Sequence, residues 1–255
     1  LGSFSADSSA NLHWYSLQGT PQPGSPVVEL GLFESSYGGF AVPGVATSRR
    51  IGTATLRFES CSVAHLSFAL YPGYWWPGYR AFLYPNGYHS ELSLARLTSQ
   101  TEPCIAADGT VTGARTAPRG GFDAGQSGSW YDPASSGQGI MLAIDPHGSL
   151  FGAWFTYDVV TRPNDEMRHH WVSLQADLAS ASGGTAQATL YRTSAYGLDG
   201  GPAIATVRVG TATLRFTACD RLSVDYRFDD SADAAGLANQ SGTLALEKIG
   251  GCATP

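Results

Sequence analysis

The chain has 255 residues, of which 43% are hydrophobic and only 14% charged, so it can bury a large core and is not intrinsically disordered. Its net charge of −6, with Lys248 as the single lysine and no basic cluster beyond Arg49-Arg50, disfavours binding to nucleic acid or to an anionic membrane. We find no run of about 18 apolar residues and no signal-peptide pattern at Leu1, and therefore expect a soluble, already processed protein without a membrane span.

The composition is typical of short strands joined by tight turns. The chain contains 31 Gly and 14 Pro together with 6 Trp, 12 Tyr and 11 Phe. No segment has a sustained period of 3.6 residues, so little helix is expected. The sequence therefore predicts an all-β protein.

An internal duplication organises the chain. The stretch GTATLRF occurs at residues 52–58 and again at 210–216, and a cysteine follows shortly after each copy. In the same order, HWYSLQ at 13–18 matches HWVSLQ at 170–175. Similar segments repeated in the same order predict a tandem of two related units.

The first repeat is predicted to span residues 1–102 and to be incomplete at its N-terminus. LGSFSAD at 1–7 matches the end of LFGAWFTYD at 150–158, so the first two strands of the unit have no counterpart before residue 1. An aromatic insertion at 71–88 has no match in the second repeat. Residues 103–123, rich in Gly, Ala, Thr and Pro, are predicted to form the linker and the end of the first repeat.

The second repeat, residues 124–255, is predicted to be complete. Its turn-forming segments include Asp-Pro-Ala-Ser-Ser-Gly at 132–137 and Asp-Pro-His-Gly at 145–148. About eight strands alternate with these turns, at 128–132, 139–145, 150–158, 169–177, 185–193, 204–218, 221–228 and 242–249. Short connections favour antiparallel neighbours, so we predict an up-and-down β-barrel, with a β-sandwich as the alternative.

The cysteines are even in number and lack any C-x-x-C spacing. Because each pair brackets the last two strands of its own repeat, we predict the disulfides Cys61–Cys104 and Cys219–Cys252. Disulfides imply an oxidising compartment, so the protein would be secreted, periplasmic or at the cell surface. The alternative is four buried free thiols in a cytosolic protein.

Strand alternation predicts two faces in the second repeat. Phe155, Val172 and Leu214 would belong to an apolar face. The opposite, polar face would carry Trp154, Thr156, Asp158, Trp171, Ser173, Gln175, Thr211, Thr213 and Arg215. This polar face is interpreted either as a solvated outer surface, with Arg215 paired to a carboxylate such as Asp158, or as a ligand face. In the second interpretation, Trp154, Trp171, Gln175 and Arg215 would bind a sugar or another small polar molecule.

The aromatic insertion of the first repeat is a second candidate for ligand binding. Tyr74, Trp75, Trp76 and Tyr79 are interleaved with Pro and Gly, which restrict the backbone. Aromatic rings provide a large contact area at low entropic cost, which suits a binding surface. Alternatively, the insertion packs back over the incomplete repeat as a plug.

The sequence offers little support for catalysis. Gly125-Gln126-Ser127-Gly128-Ser129 ends in Ser and therefore is not the G-x-S-x-G elbow of a lipase. His169 and His170 are adjacent, so they would point to opposite faces of a strand, and no histidine has zinc-ligand spacing. We predict no catalytic residues, no metal site and no cofactor.

Two resemblances accompany these patterns. Gly128-Ser129-Trp130-Tyr131, followed by an apolar strand and Gly152-Ala153-Trp154, resembles the opening strands of avidin-type and related calycin barrels. That resemblance implies a barrel and places Asp132, Ser135 and Ser136 where an avidin contacts its ligand, whereas the later tryptophans of an avidin have no match here. The series GSWYDPASSGQG, WFTYD and HWVSLQ is similar to a recurrent module of secreted proteobacterial proteins, often appended to exported hydrolases, and implies no residue roles.

Together these patterns favour a secreted or cell-surface, non-catalytic binding module for a carbohydrate or a small polar ligand. The alternatives are a structural subunit of an extracellular assembly or filament, and an accessory domain of a hydrolase. An open first repeat would expose strand edges, which soluble proteins cover or pair. We expect a separate polypeptide segment, from a longer parent or from another chain, to complete it, and the aromatic insertion is the alternative closure.

Overall fold

The computed structural model describes residues 2–6, 12–36, 38–40, 46–73, 86–106, 108–135, 137–159, 169–179, 181–195 and 203–250. These residues form sixteen β-strands and two short 3-10 helices, at Ala124–Gln126 and Ala232–Leu237. No helix in the described part of the chain is long and apolar enough to cross a bilayer. The predicted all-β class is confirmed.

The strands of the first repeat follow the predicted order. They are β1 (Gly2–Ala6), β2 (Leu12–Gln18), β3 (Val27–Ser36), β4 (Thr47–Phe58), β5 (Val63–Leu70) and β6 (Tyr88–Ala95). Strands β2 to β6 form a curled, antiparallel half-barrel, and β1 pairs with β2. A separate two-stranded ribbon follows, formed by β7 (Cys104–Ile105) and β8 (Val111–Thr112).

The second repeat forms a closed barrel. Its strands are β9 (Gly128–Tyr131), β10 (Gly139–Ile144), β11 (Ser149–Tyr157), β12 (His169–Asp177), β13 (Thr185–Ala195), β14 (Ala203–Ala218), β15 (Arg221–Phe228) and β16 (Ser241–Lys248). Each strand pairs antiparallel with the next one along the chain, and β16 returns to pair with β9. The eight-stranded up-and-down barrel is therefore confirmed, in preference to a sandwich.

Aromatic side chains fill the barrel interior. Near one end, Phe216 makes edge contacts with Phe122 and Trp130, at centroid distances of 5.7 and 5.5 Å. Near the other end, Trp154 lies 5.1 Å from Tyr226. An eight-stranded barrel is just wide enough for side chains to fill, and these rings pack in its core with aliphatic side chains such as Leu174, Leu190 and Leu214.

A loop of the first repeat contributes Phe40 to this core. Phe40, in the loop after β3, is 5% exposed and contacts the rings of Trp154, Tyr226 and Phe228 at centroid distances of 5.5 to 6.0 Å. Its backbone N–H donates to the carbonyl oxygen of Asp158. The barrel core is thus completed by a loop that lies far away in the sequence.

The repeats are joined edge to edge. Strand β12 uses one edge to pair with two different strands. Residues Ser173–Gln175 pair with β13, whereas His169, the first residue of β12, pairs with Leu12 of β2. These two residues precede the matching HW dipeptides and are therefore equivalent positions of the two repeats. Antiparallel pairing of equivalent residues relates the repeats by a local two-fold axis at this bridge.

The disulfide Cys61–Cys104 is confirmed. It ties the turn between β4 and β5 to β7, and it indicates an oxidising, extracytoplasmic compartment. Cys219 is also disulfide-bonded. Its predicted pairing with Cys252 lies outside the described residues.

One part of the face prediction is wrong. Trp154 lies opposite Val172 and Phe155 lies opposite Trp171, and directly opposed residues share a face. Trp154 therefore points into the barrel with Val172, whereas Phe155 points outward with Trp171. Alternation within a strand does not reveal its register with the next strand, and a slip of one residue exchanges the two faces.

The position of Phe40 yields a stability prediction. Replacing Phe40 by Ala should lower the free energy of unfolding by about 3–5 kcal/mol, because it leaves a cavity among three aromatic rings. Phe58→Ala, at a ring that is 48% exposed, is the matched control and should cost less than about 1 kcal/mol. Urea denaturation of both variants tests this, and equal losses would contradict a core role for Phe40.

Candidate functional site

Polar side chains collect at the mouth of the second barrel, where β11 ends and β12 begins. Thr156 and Asp158 follow the inward-facing Trp154 at alternate positions, and His170 precedes the inward-facing Val172. Asp158 comes directly after β11, so its carboxylate lies at the rim. This rim is the only part of the interior where the described strands place an acid and a base together.

Asp158 and His170 form a buried pair. The Nε2 atom of His170 contacts Oδ1 of Asp158, and the two side chains are 10% and 13% exposed, respectively. A carboxylate at Nε2 favours the tautomer with the proton on that nitrogen, which leaves Nδ1 as an acceptor. Nδ1 is itself buried and has no hydrogen-bond partner within the described residues.

The connection between β15 and β16 packs against this pair. A side chain at Gly236 would overlap the carboxylate of Asp158, which would have to move to admit it. The preceding Ala235 has a φ of 48°, which is strained for a residue with a side chain. Ser231, in the same connection, has a buried hydroxyl that lacks a hydrogen-bond partner in the described part of the chain.

A second polar group at the mouth is internally satisfied. The hydroxyl of the fully buried Thr156 donates to Oε1 of Gln138 over 2.7 Å. Nε2 of Gln138 donates to the Ser135 hydroxyl and to the carbonyl oxygen of Gly39, at 2.9 and 3.0 Å. These bonds fix the turn between β9 and β10 against the first repeat.

The avidin-like positions are therefore engaged within the chain. Ser135 is 3% exposed and bonded to Gln138, as described above. Asp132 accepts a 2.8 Å hydrogen bond from the backbone of Ala134 and so stabilises the turn. Ser136 lies outside the described residues.

Outside the barrel, aromatic side chains join the two repeats. The Trp14 ring stacks on His169 at 4.7 Å and contacts Phe155 and Tyr157, each at 5.8 Å. Its indole N–H donates to the carbonyl oxygen of Thr156 over 3.2 Å. Trp171, the equivalent residue of the second repeat, is half-buried against the same cluster.

His169 makes two hydrogen bonds across this interface. Its Nδ1 accepts from the backbone N–H of Trp14 at 3.3 Å, and its Nε2 donates to the carbonyl oxygen of Ser35 at 2.7 Å. The ring is therefore neutral, with the proton on Nε2. Burial lowers the pKa of His169 to about 4, which keeps it neutral in mildly acidic solution. Burial likewise raises the pKa of the adjacent Tyr157.

The structure separates the residues that the sequence grouped as a ligand face. Trp154 is 1% exposed inside the barrel, Trp171 belongs to the repeat interface, and only Gln175 and Arg215 are exposed on the outer face. Tyr74, Trp75, Trp76 and Tyr79 lie outside the described residues.

The exposed polar face is largely self-paired. Arg215 lies 3.7 Å from Asp225 on the neighbouring strand rather than near Asp158, which is at the rim inside the barrel. Thr213 donates to Gln187, and Thr243 donates to Asp225. The equivalent row of the first repeat has matching bonds, from Thr55 to Glu29 and from Ser67 to Glu91. Both rows agree with the interpretation of a solvated outer face.

The Asp158–His170 pair was missed by motif searches, although a signal for it exists. Asp7 and His13 occupy the equivalent positions of the first repeat, so the acid and the base occur together twice in one sequence. Their pairing could not be foreseen because it depends on the register of β11 with β12, in which Thr156 lies opposite His170. Among the described residues, no group of three His, Cys, Asp or Glu side chains could hold a metal ion.

Comparisons of the chain with protein-family models, with curated proteins and with solved structures return no match.

The burial of His169 predicts a pH dependence of stability. Its pKa falls from the usual 6.5 to about 4 on folding, so between these values the unfolded chain binds a proton that the folded chain does not. The contribution of His169 is therefore complete above pH 6.5, and about 3 kcal/mol of it is lost as the pH falls to about 4.

The difference between two denaturation profiles isolates this effect. His169→Gln, which keeps a donor and an acceptor but does not titrate, should flatten the loss of unfolding free energy between pH 6.5 and 4. Parallel profiles for the wild type and the variant would show that His169 does not contribute to the pH dependence.

Proposed function

We propose that this chain is a secreted, periplasmic or cell-surface binding module without catalytic activity, whose second repeat binds a small polar ligand at the barrel mouth. The observation that carries the proposal is the buried, unpartnered Nδ1 atom of His170, held in place by Asp158 through the opposite side of the ring.

The energetics favour a partner for this nitrogen. A buried polar atom without a hydrogen bond costs about 1–3 kcal/mol, which a ligand can recover on binding. In the neutral ring with the proton on Nε2, Nδ1 accepts a hydrogen bond from a ligand that offers a hydroxyl or an N–H group. The Ser231 hydroxyl, in the connection that packs against Asp158, is a second buried group without a partner among the described residues and can either donate or accept.

The surroundings favour a small ligand over a ring-stacked sugar. Phe40 already covers Trp154, and both residues are at most 5% exposed, so neither offers a free aromatic plane. The groups described at the mouth that can bind a ligand through hydrogen bonds are Thr156, Asp158 and His170. This supports the small-polar-ligand interpretation more than the carbohydrate interpretation, because sugar sites usually present an aromatic surface.

The same geometry supports binding rather than catalysis. A nucleophilic mechanism needs a hydroxyl or thiol hydrogen-bonded to the base. Neither His170 Nδ1 nor the Ser231 hydroxyl has a hydrogen-bond partner among the described residues, so the two are not bonded to each other. Asp158 orients the ring of His170, and no nucleophile among the described residues is hydrogen-bonded to its Nδ1 atom.

A ligand screen on the whole chain tests the proposal. Selectively ¹⁵N-histidine-labelled protein would be titrated with glycerol, methyl hexosides and N-acetyl amino acid amides. We expect at least one probe class to shift the Nδ1 resonance of His170 in a saturable way. His170→Gln, which keeps a polar group towards Asp158 but removes the atom at Nδ1, should weaken binding about tenfold.

Two further results make the test decisive. Gly236→Ala pushes the Asp158 carboxylate away from His170 and should also weaken binding, although the variant retains His170 itself. If no probe shifts the resonance and a crystal structure shows only an ordered water at Nδ1, the pair is structural and the proposal is wrong.

A further inference from the structure

The first repeat leaves one strand edge unpaired. Strand β6 pairs with β5 along its whole length, and nothing within the described residues pairs with its other edge. In the second repeat the equivalent strand, β16, uses that edge to pair with β9, through Glu247–Tyr131 and Lys248–Trp130. The backbone N–H of Ile249 then donates to the carbonyl oxygen of Ser129 over 2.8 Å. The closed repeat is thus an internal reference for what the open edge can bind.

Matched positions show the effect of the missing neighbour. Leu244 and Leu246 of β16 are 7% and 3% exposed, whereas their counterparts Leu92 and Leu94 of β6 are only half-buried. Further along, Ala95 and Arg96 are exposed, although their counterparts in β16 are half-buried. Leu97 and its counterpart Ile249 are both exposed, at 71% and 60%. Four equivalent positions are therefore more exposed in the repeat that lacks the neighbouring strand.

The opposite side of the gap is open in the same way. Strand β1 corresponds to β11, because Gly2 pairs with Ser16 as Ala153 pairs with Ser173. Whereas β11 also pairs with β10, no second partner of β1 occurs in the described ranges. The gap therefore has the width of two strands, those equivalent to β9 and β10.

The half-buried leucines at the open edge define the chemistry of a partner. Leu92 and Leu94 pack against a buried cluster in which Leu32, Leu66 and Phe68, each at most 7% exposed, occupy the positions of the barrel-core residues Leu190, Val224 and Tyr226. In the closed barrel, the side chains that β9 and β10 direct towards the core are Trp130, Ile140, Leu142 and Ile144. A partner with an aromatic residue on one strand and alternating aliphatic residues on the other would cover Leu92 and Leu94 in the same way.

We propose that the open side of the first repeat binds a β-hairpin of another polypeptide that has the residue pattern of β9 and β10. The first strand of the hairpin pairs antiparallel with the end of β6, where one of its carbonyl oxygens accepts a hydrogen bond from the backbone N–H of Leu97. The second strand of the hairpin lies along β1. This site is in the first repeat and is independent of the barrel mouth of the second.

A second copy of this chain is a poorer occupant. Its own β9 and β10 are built into a closed barrel, where Trp130 and Ile140 are each 1% exposed. Donating them would open that barrel and expose its core. A polypeptide with a free hairpin of this pattern has no such cost.

The hairpin of the chain itself supplies the probe. A fluorescent peptide with the sequence of residues 126–146 would be titrated into the full chain while its anisotropy is measured. The control peptide carries Ile140→Asp and Leu142→Asp, which place charges on the face towards the core and should weaken binding at least about tenfold. Hydrogen exchange of the Ala95 and Leu97 amides, which alternate with the Arg96 amide already bonded to Ser62, should slow when the first peptide is bound and remain unchanged with the control peptide.

A pair of variants isolates the backbone contact. Leu97→Pro removes the N–H that corresponds to the donor of Ile249 and should weaken peptide binding about tenfold. Leu97→Ala keeps the N–H and is the matched control, with binding within about twofold of the wild type because the side chain is exposed. The hydrogen-exchange result on the wild-type chain holds even if Leu97→Pro fails to fold.

Three outcomes would overturn the proposal. The first is the absence of saturable binding and of protection at the Ala95 and Leu97 amides, and the second is equal binding of both peptides. The third is a dimeric native mass with these amides protected before any peptide is added, which would identify a second copy as the occupant. None of these results depends on His170, so failure here is distinguishable from failure at the barrel mouth.

Discussion

The stack of Trp14 on His169 holds the two repeats in one arrangement. The stacked rings lie beside the position where the edge of β12 pairs with β2 instead of β13. The contact buries aromatic rings from the outer faces of both repeats. His169 adds two hydrogen bonds to backbone groups of the first repeat, at Trp14 and Ser35. Burying polar groups of this kind is favourable only when each one is satisfied, and both ring nitrogens are. Ser35 lies at the end of β3, so the same contacts fix the start of the loop that carries Phe40 into the barrel.

This joint decides which surfaces remain for ligands. Exposed aromatic residues are the usual signal of a binding face, yet Trp14, Phe155 and Trp171 pack between the repeats and Trp154 lies in the barrel core. Among the described residues, aromatic rings therefore serve mainly to complete the barrel and to attach its neighbour. In this part of the chain the two repeats differ in what they leave unsatisfied: buried polar atoms at the mouth of the closed one and an unpaired strand edge in the open one.

The duplication also makes each repeat a control for the other. The outer polar rows are bonded in the same way in both repeats, which agrees with a solvated surface kept for pairing across strands. The edges of β6 and β16 differ, although the strands have the same apolar alternation. Because β6 and β16 have the same alternation, the difference in exposure between them reflects their neighbouring strands rather than their own residues. This comparison of matched positions is stronger evidence than the exposure of any single leucine.

The sequence by itself determined the strands, the duplication and the Cys61–Cys104 disulfide, because these depend on local alternation, turn residues and repeated order. Only the tertiary structure decided which face of each strand is buried, since alternation leaves the register between neighbours open and β11 meets β12 one residue out of the expected phase. The same register places Asp158 beside His170. The insertion of Phe40 had no sequence signal, because it is a contact between segments that lie far apart in the sequence and depends on how the two repeats pack together.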